Sequence, residues 1–224
     1  MRRYHPTVEG KRPRVASSTP SPSQDHTARE RLVMAAASLF TQKGYAATTV
    51  REIVAAAGVT KPVLYYYFQN KEGIYLELIR TPFQKFDSLL DAFQDKKGSA
   101  AKRILRLSGQ VFSLIVENME AARLMSSIYY GPPQGAPFFD FDTYHLKLQD
   151  VIRRLVQQGI LQGEFQKGNA DDRMWAIVGI INVAMEAQLC HPETAIDRRQ
   201  LARILHLVLK GMSIGKNKEK ARKT

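Results

Sequence analysis

Apolar residues recur along this chain at spacings of three and four, and strand-type alternation never persists, so the pattern predicts an all-α protein. Leu32, Val33, Ala36, Leu39 and Phe40 share one side of a first helix over residues 25–43, closed by Gly44. Val50, Ile53, Val54 and Ala57 form the apolar stripe of a short second helix. Thr49 and Glu52 stand at capping-box spacing at its start, where a hydroxyl and a carboxylate satisfy unpartnered amides. Gly58 ends it, because glycine adopts a left-handed backbone without steric cost. Thr60 is placed to cap a third helix from Lys61, with Pro62 in the first turn, where amides lack intrahelical partners anyway. Val63, Leu64 and Phe68 supply its inner face. Lys61, Tyr65, Tyr66 and Tyr67 are left for the outside, since three consecutive tyrosines around one short helix cannot all be core.

Asn70 opens a fourth helix that continues towards Phe93, with Pro82 expected to kink or split it. Further helices are expected over residues 99–118, 120–130, 142–158, 171–190 and 195–212, with an irregular proline- and glycine-rich stretch at 131–137 and a turn region at 159–168. The resulting division is a disordered basic arm (1–24), a three-helix domain (25–71) holding the helix-glycine-helix pair, a larger helical domain (72–214) and a basic disordered tail (215–224).

Charge sharpens this division. The chain of 224 residues carries a net charge of +12. Residues 1–80 hold 12 Lys and Arg against 6 Asp and Glu, residues 81–214 hold 16 against 14, and residues 215–224 hold 5 against 1. The body is nearly neutral and the excess sits at one end and on the tails, as expected of a protein that neutralises phosphates locally. The lone cysteine, Cys190, excludes an intrachain disulfide and fits a reducing cytoplasm. The longest apolar run, Met174 to Ile181, is far shorter than the ~18 residues of a membrane span, so no membrane association is expected. The five histidines are scattered, with no pair at metal-binding helical spacing, and no phosphate loop or nucleophile elbow is present. No catalytic residue, metal or cofactor is therefore expected.

A bare helix-glycine-helix pattern also fits an ordinary helical hairpin. The longer ordered run favours DNA reading: Leu39-Phe40-Thr41-Gln42-Lys43-Gly44-Tyr45, then Thr48 to Val54, Ala57-Gly58-Val59, Leu64 to Phe68, and Asn70-Lys71-Glu72. This run resembles the N-terminal domain of the tetracycline-repressor-like (TetR) family of bacterial transcription regulators. The resemblance covers about a fifth of the chain, from about Thr27 to Lys71, and departs from the family at Tyr67, where histidine is frequent. It implies a repressor with a helix-turn-helix, whose second helix enters the major groove of double-stranded DNA. It also implies roles for individual residues: Thr49, Tyr65, Tyr66, Tyr67 and Lys71 on phosphates, Arg51 and Lys61 on guanine acceptors, and Pro62 on a thymine methyl, with Thr60 on the same face.

Two further surfaces are expected, which make 72–214 an effector-binding and dimerisation domain. Met125, Tyr129, Phe138, Phe139, Phe141, Tyr144 and Trp175, with Asn182 as a polar group, are large or adaptable side chains near the irregular loop, suited to an unidentified small-molecule effector. His145, Gln188 and Arg123 are further polar candidates. Between Met174 and Met185 only Asn182 is strongly polar, so that helix must be covered on several sides. A second copy can cover one of them, through Val178, Ile181, Met185, Leu201, Leu205, Val208 and Met212; central burial in one domain is the alternative. The resemblance favours a homodimer joined through its last two helices and reading a palindromic operator.

Overall fold

The computed structural model describes residues 27–93, 98–131 and 135–214, and the expected basic arm and tail lie outside them. Among the described residues the elements are α1 (Ala28–Ala47), α2 (Val50–Ala57), α3 (Lys61–Phe68), α4 (Lys71–Asp91), α5 (Ala100–Glu117), α6 (Met119–Tyr129), α7 (Phe141–Leu161), α8 (Ala170–Cys190) and α9 (Arg198–Met212). The one extended pairing described is an isolated antiparallel bridge between Phe165 and Ser213.

Local chemistry explains the boundaries. Thr27 starts α1 because its hydroxyl accepts from the Glu30 amide at 3.2 Å while the Glu30 carboxylate accepts from the Thr27 amide at 2.8 Å. The expected stop at Gly44 is instead a kink inside α1, with φ 83° and ψ 164°, and the element ends only before Thr48. α4 passes through Pro82 as one element, so the expected split is not found. The ring costs one backbone bond, to the Leu78 carbonyl. α7 runs through Gly159 to Leu161, beyond its expected end. Gly159 serves close packing: a Cβ there would lie 2.3 Å from the Phe165 ring.

Two apolar cores result. The first gathers Leu32, Ala36 and Phe40 of α1, Ile53 of α2, Leu64 and Phe68 of α3, Ile74 to Ile79 of α4, and Leu124 of α6. The second is built from α5, α7, α8 and α9 around Ile104, Leu107, Ile152, Val156, Ile177 and Ile181, with Leu90 from the far end of α4. α4 therefore belongs to both cores, and Pro82, Phe83 and Phe86 lie on the stretch between them.

Candidate DNA-binding face and effector cavity

The helix-turn-helix is fixed by bonds that the sequence foretells. Thr49 caps α2: its hydroxyl accepts from the Glu52 amide at 3.3 Å and donates to the Glu52 carboxylate at 2.7 Å, which in turn accepts from the Thr49 amide at 2.9 Å. Lys43 pairs with the same carboxylate. Lys43 first, and the Thr49 hydroxyl second, hold Glu52 down to about 2 from its ordinary value near 4.5. Gly58 is left-handed, at φ 62° and ψ 39°, and the Val59 amide donates back to the Val54 carbonyl at 3.0 Å. Thr60 holds the N-cap position of α3, yet its hydroxyl makes no capping bond.

α3 buries Leu64 and Phe68 and presents the rest of its surface. Tyr66 is 81% exposed, Tyr65 48% and Tyr67 42%, and the Tyr66 and Tyr67 rings meet edge to face at 4.9 Å. Arg51, Lys61 and Pro62 are also exposed. Among the described residues Arg51 and Lys61 form no ion pair, so two cations and three phenols are exposed on α2 and α3.

Lys71 departs from expectation. Its ammonium lies 4.1 Å from the Tyr45 ring centroid and donates to the carbonyls of Tyr45 at 2.9 Å and Thr48 at 3.0 Å. These are backbone acceptors at the end of α1, where carbonyls run out of intrahelical partners, and the first residue of α4 brings a charged donor against them. Lys71 thus braces α4 to the α1–α2 corner rather than projecting towards phosphate. Thr49 is corrected in part: it is exposed, but its hydroxyl already serves the cap. Sequence reading also missed Arg29, which pairs with Glu77 and lies over the Phe68 ring at 5.4 Å, and Arg31, which donates to the Ala57 carbonyl at 3.1 Å. Both tie the reading unit to its neighbours.

Between the two cores lies a cavity of 190 Å³. α4 contributes Pro82, Phe83 and Phe86; α5 contributes Val111, Leu114 and Ile115, with Asn118 just beyond its end; α6 contributes Ala122 and Met125; α7 contributes Phe141, Tyr144, His145 and Leu148; α8 contributes Asn182 and Met185. Of the expected effector residues, Met125, Phe141, Tyr144 and Asn182 meet here, with His145 beside them. Tyr129, Phe138 and Phe139 do not: they line a separate depression beside the 135–140 segment, where the Tyr129 hydroxyl donates to Asp142 at 3.1 Å. Phe138 is 89% exposed. Trp175 stands on the outer face of α8, away from either. Gln188 donates to the Ile196 carbonyl at 2.8 Å and Arg123 pairs with Glu120, so neither serves the cavity. Phe83, Phe86, Leu114 and Asn118 were missed, because nothing in a single helix's periodicity tells a cavity wall from a core.

The dimer assignment needs the largest revision. Val178, Ile181, Leu201 and Leu205 are fully buried within the single chain, Met212 packs against the same core, and Met185 lines the cavity. Val208 is only half-buried. The stripe left uncovered is different: Trp175, Gly179 and Val183 at spacings of four on α8, with Leu207 and Gly211 on α9. Between Met174 and Met185 α8 is apolar but for Asn182, so its period could not rank its faces; packing against α7 and α9 ranked them.

A capped helix, a left-handed glycine and a second helix with its polar face in the open define a DNA-binding regulator of the helix-turn-helix class. Residues 32–78 match the model of the bacterial regulatory proteins of the tetR family. The HTH-type transcriptional repressor KstR2 of Mycolicibacterium smegmatis is 29% identical over 150 residues, which span 65% of this chain and 71% of that one. Two solved structures share the fold: the ketosteroid transcriptional regulator KstR2 of Mycobacterium tuberculosis, with a TM-score of 0.66 at 22% identity over 86% of this chain and 98% of that one, and the TetR-family regulator PfmR of Thermus thermophilus, with a TM-score of 0.64 at 22% identity over 85% and 100%. Residues 32–78 are thus those of the TetR family's DNA-binding region, and the described chain as a whole shares the fold of that family's solved structures.

Proposed function

We propose that the protein is a homodimeric, sequence-specific transcriptional repressor that works in the cytoplasm and leaves a palindromic operator when a small-molecule effector fills the cavity against α4. The observation that carries this reading is the open face of α3, where Tyr65, Tyr66, Tyr67 and Lys61 surround a core-facing Leu64 and Phe68. Repression rests on the KstR2 relative, which is a transcriptional repressor by name. Dimerisation rests on the uncovered Trp175–Val183 and Leu207–Gly211 stripes, where two small glycines admit close helix approach. Two copies joined there carry two α3 helices to successive major grooves, about 34 Å apart or somewhat more.

The switch follows from linkage. α4 holds the reading unit at its start through Lys71 and walls the cavity at Pro82, Phe83 and Phe86. A ligand that prefers one position of α4 changes the spacing of the two reading helices, and the operator must weaken ligand binding by the same factor. Selection from random duplex oligonucleotides with the full chain tests the reading. The expected result is one inverted repeat with half-sites about one helical turn apart; sequence-indifferent recovery would refute it.

A further inference from the structure

The cavity's walls carry a more specific statement about what it holds. Among the described residues its lining contains no Lys, Arg, Asp or Glu. A carboxylate, phosphate or ammonium entering it would lose its hydration and gain no counter-charge, which disfavours any ionised ligand. The volume of 190 Å³ sets the size. An apolar cavity of about 150 Å³ holds one benzene ring, so this one suits a ring system slightly larger. Its walls suit flat rings: Phe83 lies 4.2 Å from the Tyr144 ring and 5.7 Å from the Phe141 ring, both tilted, while Met125 and Met185 supply thioethers that adapt to and contact aromatic edges.

Polar groups are few and differently placed. His145 and Asn182 are exposed and mark the mouth. Asn118 is half-buried, at the junction of α5 and α6, and its side-chain amide already donates to the Leu114 carbonyl at 2.7 Å. What remains on Asn118 is its side-chain carbonyl, an acceptor, and one amide N–H; a hydroxyl group can meet both, whereas an ether can meet only the N–H.

We propose that this cavity binds an uncharged aromatic molecule of one or two fused rings bearing a hydroxyl group, which donates to the Asn118 side-chain carbonyl. The proposal rests on reading the cavity as the effector site, but its test separates the two. Titration calorimetry on the full chain with 1-naphthol, 1-methoxynaphthalene and 1-naphthoate as probes is expected to rank 1-naphthol first, with each of the others at least ~10-fold weaker. Filling the space by Leu114→Trp should abolish 1-naphthol binding. Asn118→Leu should erase the preference for 1-naphthol over 1-methoxynaphthalene while leaving the latter's affinity within about twofold; a purely structural role would weaken both alike. Equal or tighter binding of 1-naphthoate, or of 1-methoxynaphthalene, to the unaltered protein would overturn the assignment without recourse to any variant. Selective 1-naphthol binding that leaves operator affinity unchanged in a gel-shift titration would sustain the ligand class and sink the effector reading instead.

Discussion

Single residues in the reading unit carry more than one duty, and their chemistry separates these. Glu52 closes the α2 cap and pairs with Lys43, which depresses its pKa to about 2. A depressed carboxylate contributes stability that is complete above its ordinary value near 4.5 and is lost as pH falls through about 2. Glu52→Gln should therefore remove part of the acid sensitivity between those two values, read as a flatter dependence of the thermal midpoint on pH. Gly58 meets nothing within 4 Å where a Cβ would stand, so Gly58→Ala is penalised by its left-handed backbone alone. The expected loss is about 1–2 kcal/mol in urea unfolding. Lys71 offers a sharper contrast. A phosphate contact removed by substitution lowers the salt slope of DNA binding by about 1, whereas an internal brace does not. Lys71→Met should lower the thermal midpoint and leave the slope of log affinity against log salt unchanged.

At the level of elements, α3 is legible because its two sides differ in kind. Leu64 and Phe68 have no polar alternative and go inward, which leaves the tyrosines out whatever the tertiary context. Arg51→Ala and Lys61→Ala are expected to weaken specific DNA binding by about 1–3 kcal/mol each without changing the unfolding midpoint, because both side chains are exposed and unpaired among the described residues. α4 resists such reading. Its proline suggested a break, but Ile74 to Ile79 on one side of it and Leu90 on the other are anchored in two different cores, and that anchoring outweighs one lost backbone bond. Lys147 on α7 adds a tie to Asp87 at 2.5 Å and to Asp91 at 3.0 Å, so the distal half of α4 is held at its surface as well.

For the whole molecule, the uncovered stripes of α8 and α9 are the surface that a second copy would seal. Leu207 is 70% exposed, Val183 65% and Trp175 56%, large apolar side chains left open on the last two helices. The double substitution Val183→Asp with Leu207→Asp is expected to yield a folded monomer in sedimentation, and to lower operator affinity at least ~100-fold, since half of the phosphate and base contacts are then lost. By contrast Ile181→Asp should unfold the chain, because that side chain lies in the second core.

Sequence alone determined what depends on neighbours a few positions apart: helix periods, the Thr49–Glu52 cap, the left-handed Gly58 and the outward tyrosines. These are set by backbone sterics and by bonds within one or two turns. Only tertiary structure decided which face of the apolar middle of α8 is covered, that Lys71 donates to carbonyls at the α1–α2 corner, and that residues from five helices line one cavity. Those outcomes depend on which elements compete for the same surface, and a one-dimensional pattern carries no distance between elements far apart in the chain.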